Sequence, residues 1–368
     1  MAGPLSGIKL VEFVGIGPGP FCGMILADLG AEVIRIDRAS QHGQGNTIDF
    51  QHRSKLSLSA DLKNPKTIEE IKKLLASVDG LIEGFRPGVM ERLGLGPEEC
   101  LKINSNLVYG RMTGWGQEGP LAKTAGHDIN YIALTGALGS MGRKGQTPPP
   151  PLNLVGDFGG GGMFLALGIV SALLSIKQGG KGQVVDAAMV DGASILMTMF
   201  YAFKASGFWL DERESNALDG AAHFYDTYEC ADKKFLAVGS IEPQFYSVLL
   251  EKLEISDQKF QDQHNKELWP ELKSIMKDRI KEKTRDEWAK IFEGSDACVA
   301  PVLSLSEAPE HYHMKARNSF VEVDGITQPA PAPRFSDTTP NIKHSSVKAG
   351  ENNDEICSKY NLDRSCFS

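Results

Sequence analysis

Residues 8–37, IKLVEFVGIGPGPFCGMILADLGAEVIRID, decide how this chain folds. IKLVEFV is a short β-rich run, and GIGPGP breaks it with glycine and proline. FCGMILADLG then clusters its apolar residues at helical spacing, with Pro20 placed for the first helical position and Gly30 placed to end the helix. AEVIRID follows as a second strand. Strand, tight loop, helix and strand in this order predict two parallel strands joined by a right-handed crossover.

The pattern recurs. TIEEIKKLLASVD is an amphipathic helix, GLIEGF a strand end, PEECLKINS a helix and LVYGRMTG a strand. The expected fold class is therefore α/β, with a large, doubly wound, Rossmann-like domain over residues 1–190. KGQTPPPPLN is a polyproline connection. Glycines 159–162 precede an apolar helix, MFLALGIVSALLSIK, which GGKG stops. Linker helices are expected over 191–223. YDTYECADKKFLAVGS reads as a hairpin turning at Asp232–Lys233, and charged amphipathic helices follow near 243–253 and 267–282. These define a smaller α+β domain at 224–325. The segment 326–368 is expected to be extended and to return over the first domain.

With 39 basic and 47 acidic residues the net charge is −8, which excludes a general nucleic-acid scaffold. An anionic ligand would need local arginines and lysines. The six cysteines form no CxxC pair, which argues against a disulfide framework or structural zinc and favours a reducing compartment. His311 and His313 lack partners at metal-ligand spacing, so no metal is expected. The run from 163 to 176 is too short to cross a bilayer. MAGPLSGIK has no apolar targeting core, and the terminal CFS is not a peroxisomal address. An intracellular location is expected: peroxisome or mitochondrion in a eukaryote, cytoplasm in a bacterium.

GIGPGP also resembles a dinucleotide fingerprint, with Asp37 at the end of the second strand. Pro20 stands where that fingerprint needs glycine, so nicotinamide binding is not expected. Cations recur instead at loop ends: Arg38 after IRID, Lys63 in SADLKN, Arg86 in EGFRPG and Arg92 in MERLG. Arginine binds phosphate oxygens bidentately, and ligands of open α/β sheets bind beyond the carboxyl ends of the strands. Methionines 163, 189, 197 and 199 are read as core filler, with a subset able to offer an adaptable surface to acyl chains.

The ordered set VEFVGIGPGPFCGMILADLGAEVIRIDR, LSADLKN, EGFRPGVMERLGLG, AGHDINY, PLNLVGDFGGGG and VGSIEPQFY resembles the family III CoA-transferases. Within them it resembles the α-methylacyl-CoA racemase branch. The resemblance implies a thioester of coenzyme A as substrate, no further cofactor, and an interlocked homodimer. It places Arg38, Ala60, Asp61, Leu62, Lys63, Arg86 and Arg92 at the CoA moiety, and Gly126, Asp128, Ile129, Asn130 and Tyr131 around the substrate. His127 of AGHDINY and Asp157 of LVGDFGGG match the acid/base pair of a 1,1-proton transfer through an enolate. Both residue types can be tuned toward neutral pH. Glu242 of IEPQFY matches a carboxylate that orients the histidine from the other subunit. The Asp128 amide is expected to help polarise the thioester oxygen, and Gly159–Gly162 are read either as opening a helix whose N–H donors meet the enolate oxygen or as permitting close helix packing, two compatible readings. An alternative stays open: Asp157 as covalent nucleophile of a CoA transfer between acids.

Overall fold

The computed structural model describes residues 3–368, which divide into two compact units. One runs up to Thr135 and adds Pro151–Met197 and Tyr312–Ser368; the other comprises Gly136–Pro150 and Thr198–His311.

The first unit is built on six strands: β1 (Lys9–Phe13), β2 (Glu32–Arg38), β3 (Lys55–Ala60), β4 (Gly80–Glu83), β5 (Val108–Thr113) and β6 (Val184–Ala188). They lie in the order β3-β2-β1-β4-β5-β6, and each pairs in parallel with its neighbours. This is the doubly wound arrangement that the opening stretch implies. Strand order reverses between β1 and β4, which opens a crevice at the carboxyl edge there. Val11, Ile34, Leu58 and Leu81 face one apolar layer with the helix Pro65–Leu75; Leu10, Val33, Ile82 and Val108 face the other, with the helices Pro18–Asp28 and Met163–Lys177.

Four local details refine that reading. The helix after β1 starts at Pro18, with Gly17 as its cap at φ 74°, so Pro18 rather than Pro20 takes the first helical position. Asp37 is buried and engaged: Arg35 Nε donates to it at 2.7 Å and Ser57 Oγ at 2.5 Å. Both donors meet the same oxygen, Oδ2, which is thereby tied to the strands β2 and β3. The apolar helix begins nine residues early, because Leu154–Gly162 continues into Met163–Lys177 as a π-helix. The resulting 24 residues are long and apolar enough to cross a bilayer, so shortness no longer argues against it. Packing does: Leu165, Ala166, Ile169 and Leu173 are buried in the sheet's core. The fourth is β3, whose KLSLSA alternation hides Ser57 and Ser59 under the C-terminal segment. Asn352 and Asn353 side chains accept from the Ser57 and Ser59 amides at 3.0 and 2.9 Å, and Ala60 bridges to Phe367. An open sheet edge is thereby covered.

The second unit carries a three-stranded antiparallel sheet, β7 (Tyr225–Glu229), β8 (Phe235–Gly239) and β9 (Val299–Pro301). Its hairpin turns through Lys233 at φ 62°. Phe224, Leu236, Leu249, Trp269, Leu272 and Trp288 form its core with the helices Pro243–Lys252, Trp269–Ile280 and Arg285–Phe292. Residues 136–150 join this unit rather than the large one because Arg143 is bound there. It donates to Asp226 at 2.6 and 3.0 Å and to Glu214 at 3.1 Å. At the other end, Tyr312–Ser368, including the hairpin β10 (Phe320–Val323) and β11 (Ile326–Pro329), belongs to the first unit. The expected boundaries at 190 and 325 shift accordingly.

Candidate functional site

The site grows from the carboxyl edge of the large sheet. β1 ends at Phe13 and leads to Gly17; β5 ends at Thr113 and leads to Gly114, against which Tyr131 packs so closely that a Cβ would enter its ring. Tyr131 is buried, stacks edge-on against Trp115, and donates its hydroxyl to the Gly126 carbonyl. That fixes the turn immediately before His127.

His127 is the N-cap of the helix Asp128–Leu134, with extended backbone angles. Its amide donates to Asn130 Oδ1 at 3.0 Å, as the reciprocal arm of a capping box does. The imidazole itself is exposed, whereas the adjacent Asp128 is 6% exposed and points inward. One Asp128 oxygen accepts the Asp157 amide at 2.7 Å. Two motifs separated by twenty-nine residues are thereby joined.

Asp157 sits in the first turn of the π-helix and is half-buried. Asn153 Nδ2 donates to its Oδ2 at 3.2 Å. A Cβ on Gly17 would come within 3.1 Å of the same oxygen, so glycine lets the loop after β1 close over the carboxyl. Burial pushes the Asp157 pKa up most strongly. The Asn153 hydrogen bond pulls it down, the Asp128 charge raises it further, and the His127 charge lowers it. The His127 charge therefore reaches the Asp157 carboxyl.

Of the two parts expected of the glycine run, the structure shows close packing. Glycines 159–162 lie inside the π-helix, so they do not open a helix with free donors. They allow close packing: a Cβ on Gly160 would lie 2.6 Å from the Ala193 nitrogen, one on Gly161 2.8 Å from Met189 Cγ, and one on Gly162 2.7 Å from the Phe21 ring. The true helix start is Leu154, three residues before Asp157. π-turns of this kind recur at functional sites.

The sheet brings the predicted cations to one edge. Arg38 ends β2, Asp61, Leu62 and Lys63 follow β3, and Arg86 follows β4, with Arg92 closing the short helix Val89–Arg92. Arg38, Lys63, Arg86 and Arg92 are exposed, while Ala60 and Leu62 turn into the core. Arg92 lies beside Gly88, whose φ is 85°. Sequence reading passed over the buried Arg111 on β5, which donates to Glu83 at 2.8 Å and Glu91 at 2.9 Å. Glu83 and Arg111 occupy paired positions on neighbouring strands, a register visible only once the sheet is assembled. It also missed Asn153, although its four-residue spacing from Asp157 in NLVGD is a helical one.

Glu242 lies in the second unit, where it is the exposed N-cap of the helix Pro243–Lys252 and makes no side-chain capping bond. Met189 and Met197 are buried as core filler, whereas Met163 and Met199 are exposed. Among the described residues, no cluster of three or more His, Cys, Asp or Glu side chains could hold a metal ion. All six cysteines are free thiols.

Residues 5–353 match CoA-transferase family III. The chain is 46% identical to alpha-methylacyl-CoA racemase of Mus musculus over 97% of its own length and 93% of the relative's. It is 44% identical to the Homo sapiens protein of the same name, over 98% and 94%. A crystal structure of a CaiB/BaiF family protein from Brucella suis superposes with a TM-score of 0.83 at 26% identity, covering 98% of this chain and all of the other.

Proposed function

Because this chain belongs to CoA-transferase family III, and because its relatives of 46 and 44% identity are alpha-methylacyl-CoA racemases, we propose that it is an isomerase interconverting (R)- and (S)-2-methylacyl-CoA thioesters. Stereoinversion beside a thioester needs one group to remove the C2 proton and another to return a proton to the opposite face of the enolate. His127 and Asp157 take these two roles. The observation that carries this reading is the hydrogen bond from the Asp157 amide to Asp128, which joins the segment of His127 to that of Asp157 at one sheet edge, beside a carboxyl whose proton affinity burial has raised. In one direction Asp157 is the base and protonated His127 the acid; in the other the roles exchange. Arg38, Lys63, Arg86 and Arg92 suit the phosphates of the CoA moiety, which they would meet as exposed forks beyond β2, β3 and β4.

We further propose a homodimer in which Glu242 of the partner subunit hydrogen-bonds His127. The first unit exposes Leu134, Leu167, Leu174, Ile195 and Leu196, each at 47% or more, a large apolar surface for a lone chain. Co-expressing His127→Ala with Glu242→Ala tests it. Two inactive variants restore one intact site per mixed dimer if the glutamate crosses over, and none if it serves its own chain.

The reaction is tested with one epimer of a 2-methylacyl-CoA in deuterated water. Loss of configuration with deuterium at C2 is the expected result. Turnover that instead requires an acceptor acid, with hydroxylamine trapping an acyl group on Asp157, would assign a CoA transfer.

A further inference from the structure

Asp128 carries an anomaly that His127 and Asp157 do not explain. Its Oδ1 accepts the Asp157 amide, but its Oδ2 is shut off from solvent and has no hydrogen-bond partner among the described residues. A carboxylate oxygen buried without a donor is costly. Nearby groups are committed elsewhere: the Tyr131 hydroxyl donates to Gly126 and the Asn153 amide to Asp157. Nor is the crowding accidental, since a Cβ on Gly156 would lie 2.5 Å from Asp128 Oδ1. Glycine at 156 admits the carboxylate to the helix start.

We propose that the Asp128 side chain is the positioning residue of Asp157: one oxygen clamps the Asp157 amide at the start of the π-helix, and the unpaired one leaves a negative charge beside the carboxyl that must hold a proton. The proposal rests on Asp157 being a proton carrier in the racemisation. The geometry gives both halves independently, a short bond to the Asp157 backbone and an uncompensated buried oxygen next to it. The groups facing Asp157 are few. Asp128 opposes its ionisation, His127 favours it, Asn153 donates to it, and Tyr131 is the further titratable side chain sensing both acids. The loop at Gly17 and the helix Met189–Leu196 meet this helix through Gly17, Pro18, Met189 and Ala193, which carry no charge.

Asp128→Asn keeps an acceptor for the Asp157 amide and removes the charge; Asp128→Ala removes both. The pH dependence of kcat/KM is measured by C2 deuterium exchange for both variants, for Asp157→Asn and for the unsubstituted protein, with folding checked by circular dichroism. In the direction where Asp157 removes the proton, activity rises with pH as Asp157 ionises. Loss of the neighbouring charge should move that limb of Asp128→Asn to lower pH by about half a unit or more, with KM little changed. Asp128→Ala should lose about tenfold or more in kcat as well, since the carboxyl is no longer held. An unshifted limb in Asp128→Asn overturns the proposal even if Asp128→Ala is slow or unfolded, because a merely structural aspartate would not set that limb. Unchanged exchange in Asp157→Asn overturns the proton-carrier reading, and this proposal with it.

Discussion

Two acids lie against the first half of the helix Pro18–Asp28, one fully buried and one half-buried, and they are treated differently. Glu12, on β1, is fully buried and receives Lys55 Nζ on both oxygens, at 2.9 and 2.6 Å. Lys55 is equally buried and spends its remaining donor on the Pro20 carbonyl at 2.9 Å. Gly23 makes room for the pair, because any side chain there would fall on the Glu12 carboxylate. Burial pushes Glu12 up and Lys55 down, and each partner offsets the other. At the helix start, Gly17 instead gives onto Asp157, half-buried and bonded to a single neutral amide, with Asp128 beneath it holding one oxygen unpaired. A closed ion pair fixes a helix and has no proton to exchange. An acid left half-satisfied keeps its titration within reach of a substrate, and the fold carries the cost.

The contrast can be broken most sharply at the open acid. Asp157→Ala and His127→Ala should each reduce racemisation by about two to four orders of magnitude while leaving thermal unfolding near that of the unsubstituted protein; loss of configuration at C2 together with a melting curve measures both. The sealed pair should respond in the opposite sense. Lys55→Met strands Glu12 and should destabilise the fold by about 3–5 kcal/mol in urea titration, with most of the loss recovered in the double variant Glu12→Gln/Lys55→Met. The packing of the π-helix against the helix Met189–Leu196 is probed by Gly192→Ala. Its new Cβ would fall on the Gly160 carbonyl, so a loss of about 1–3 kcal/mol in the same titration is expected.

The smallest effect concerns pH. The folded pKa of Asp157 lies above its ordinary 3.8, so the folded chain holds this proton more tightly than the unfolded one does. Ionising it as pH rises through that interval therefore lowers stability. Asp157→Asn should be slightly more stable than the unsubstituted protein at pH 7, and the difference should vanish below pH 3.8. Equal stabilities across the range would show that the site imposes no burial cost on this carboxyl.

What the sequence by itself determined is what lies within a few residues of itself. Apolar periodicity and the punctuation of glycine and proline were enough for β1, β2, β4 and β5, for the helices Pro18–Asp28, Pro65–Leu75 and Pro97–Ile103, and for the hairpin turning at Lys233. Residue type at predicted loop ends pointed to the cations, and the resemblance of the ordered motifs to a known family pointed to His127 and Asp157. Tertiary structure alone decided the rest. The wide turn at 154–162 depends on Ala193, Met189 and Phe21 pressing against its glycines, which no local pattern records. The strand β3 went unread, because its serines are buried only by residues 352–368, nearly three hundred positions away. Asp128 was read for its amide, yet its side chain became the link to Asp157, because hydrogen bonds and charge act through space and only the folded chain sets which groups share a few ångströms of it.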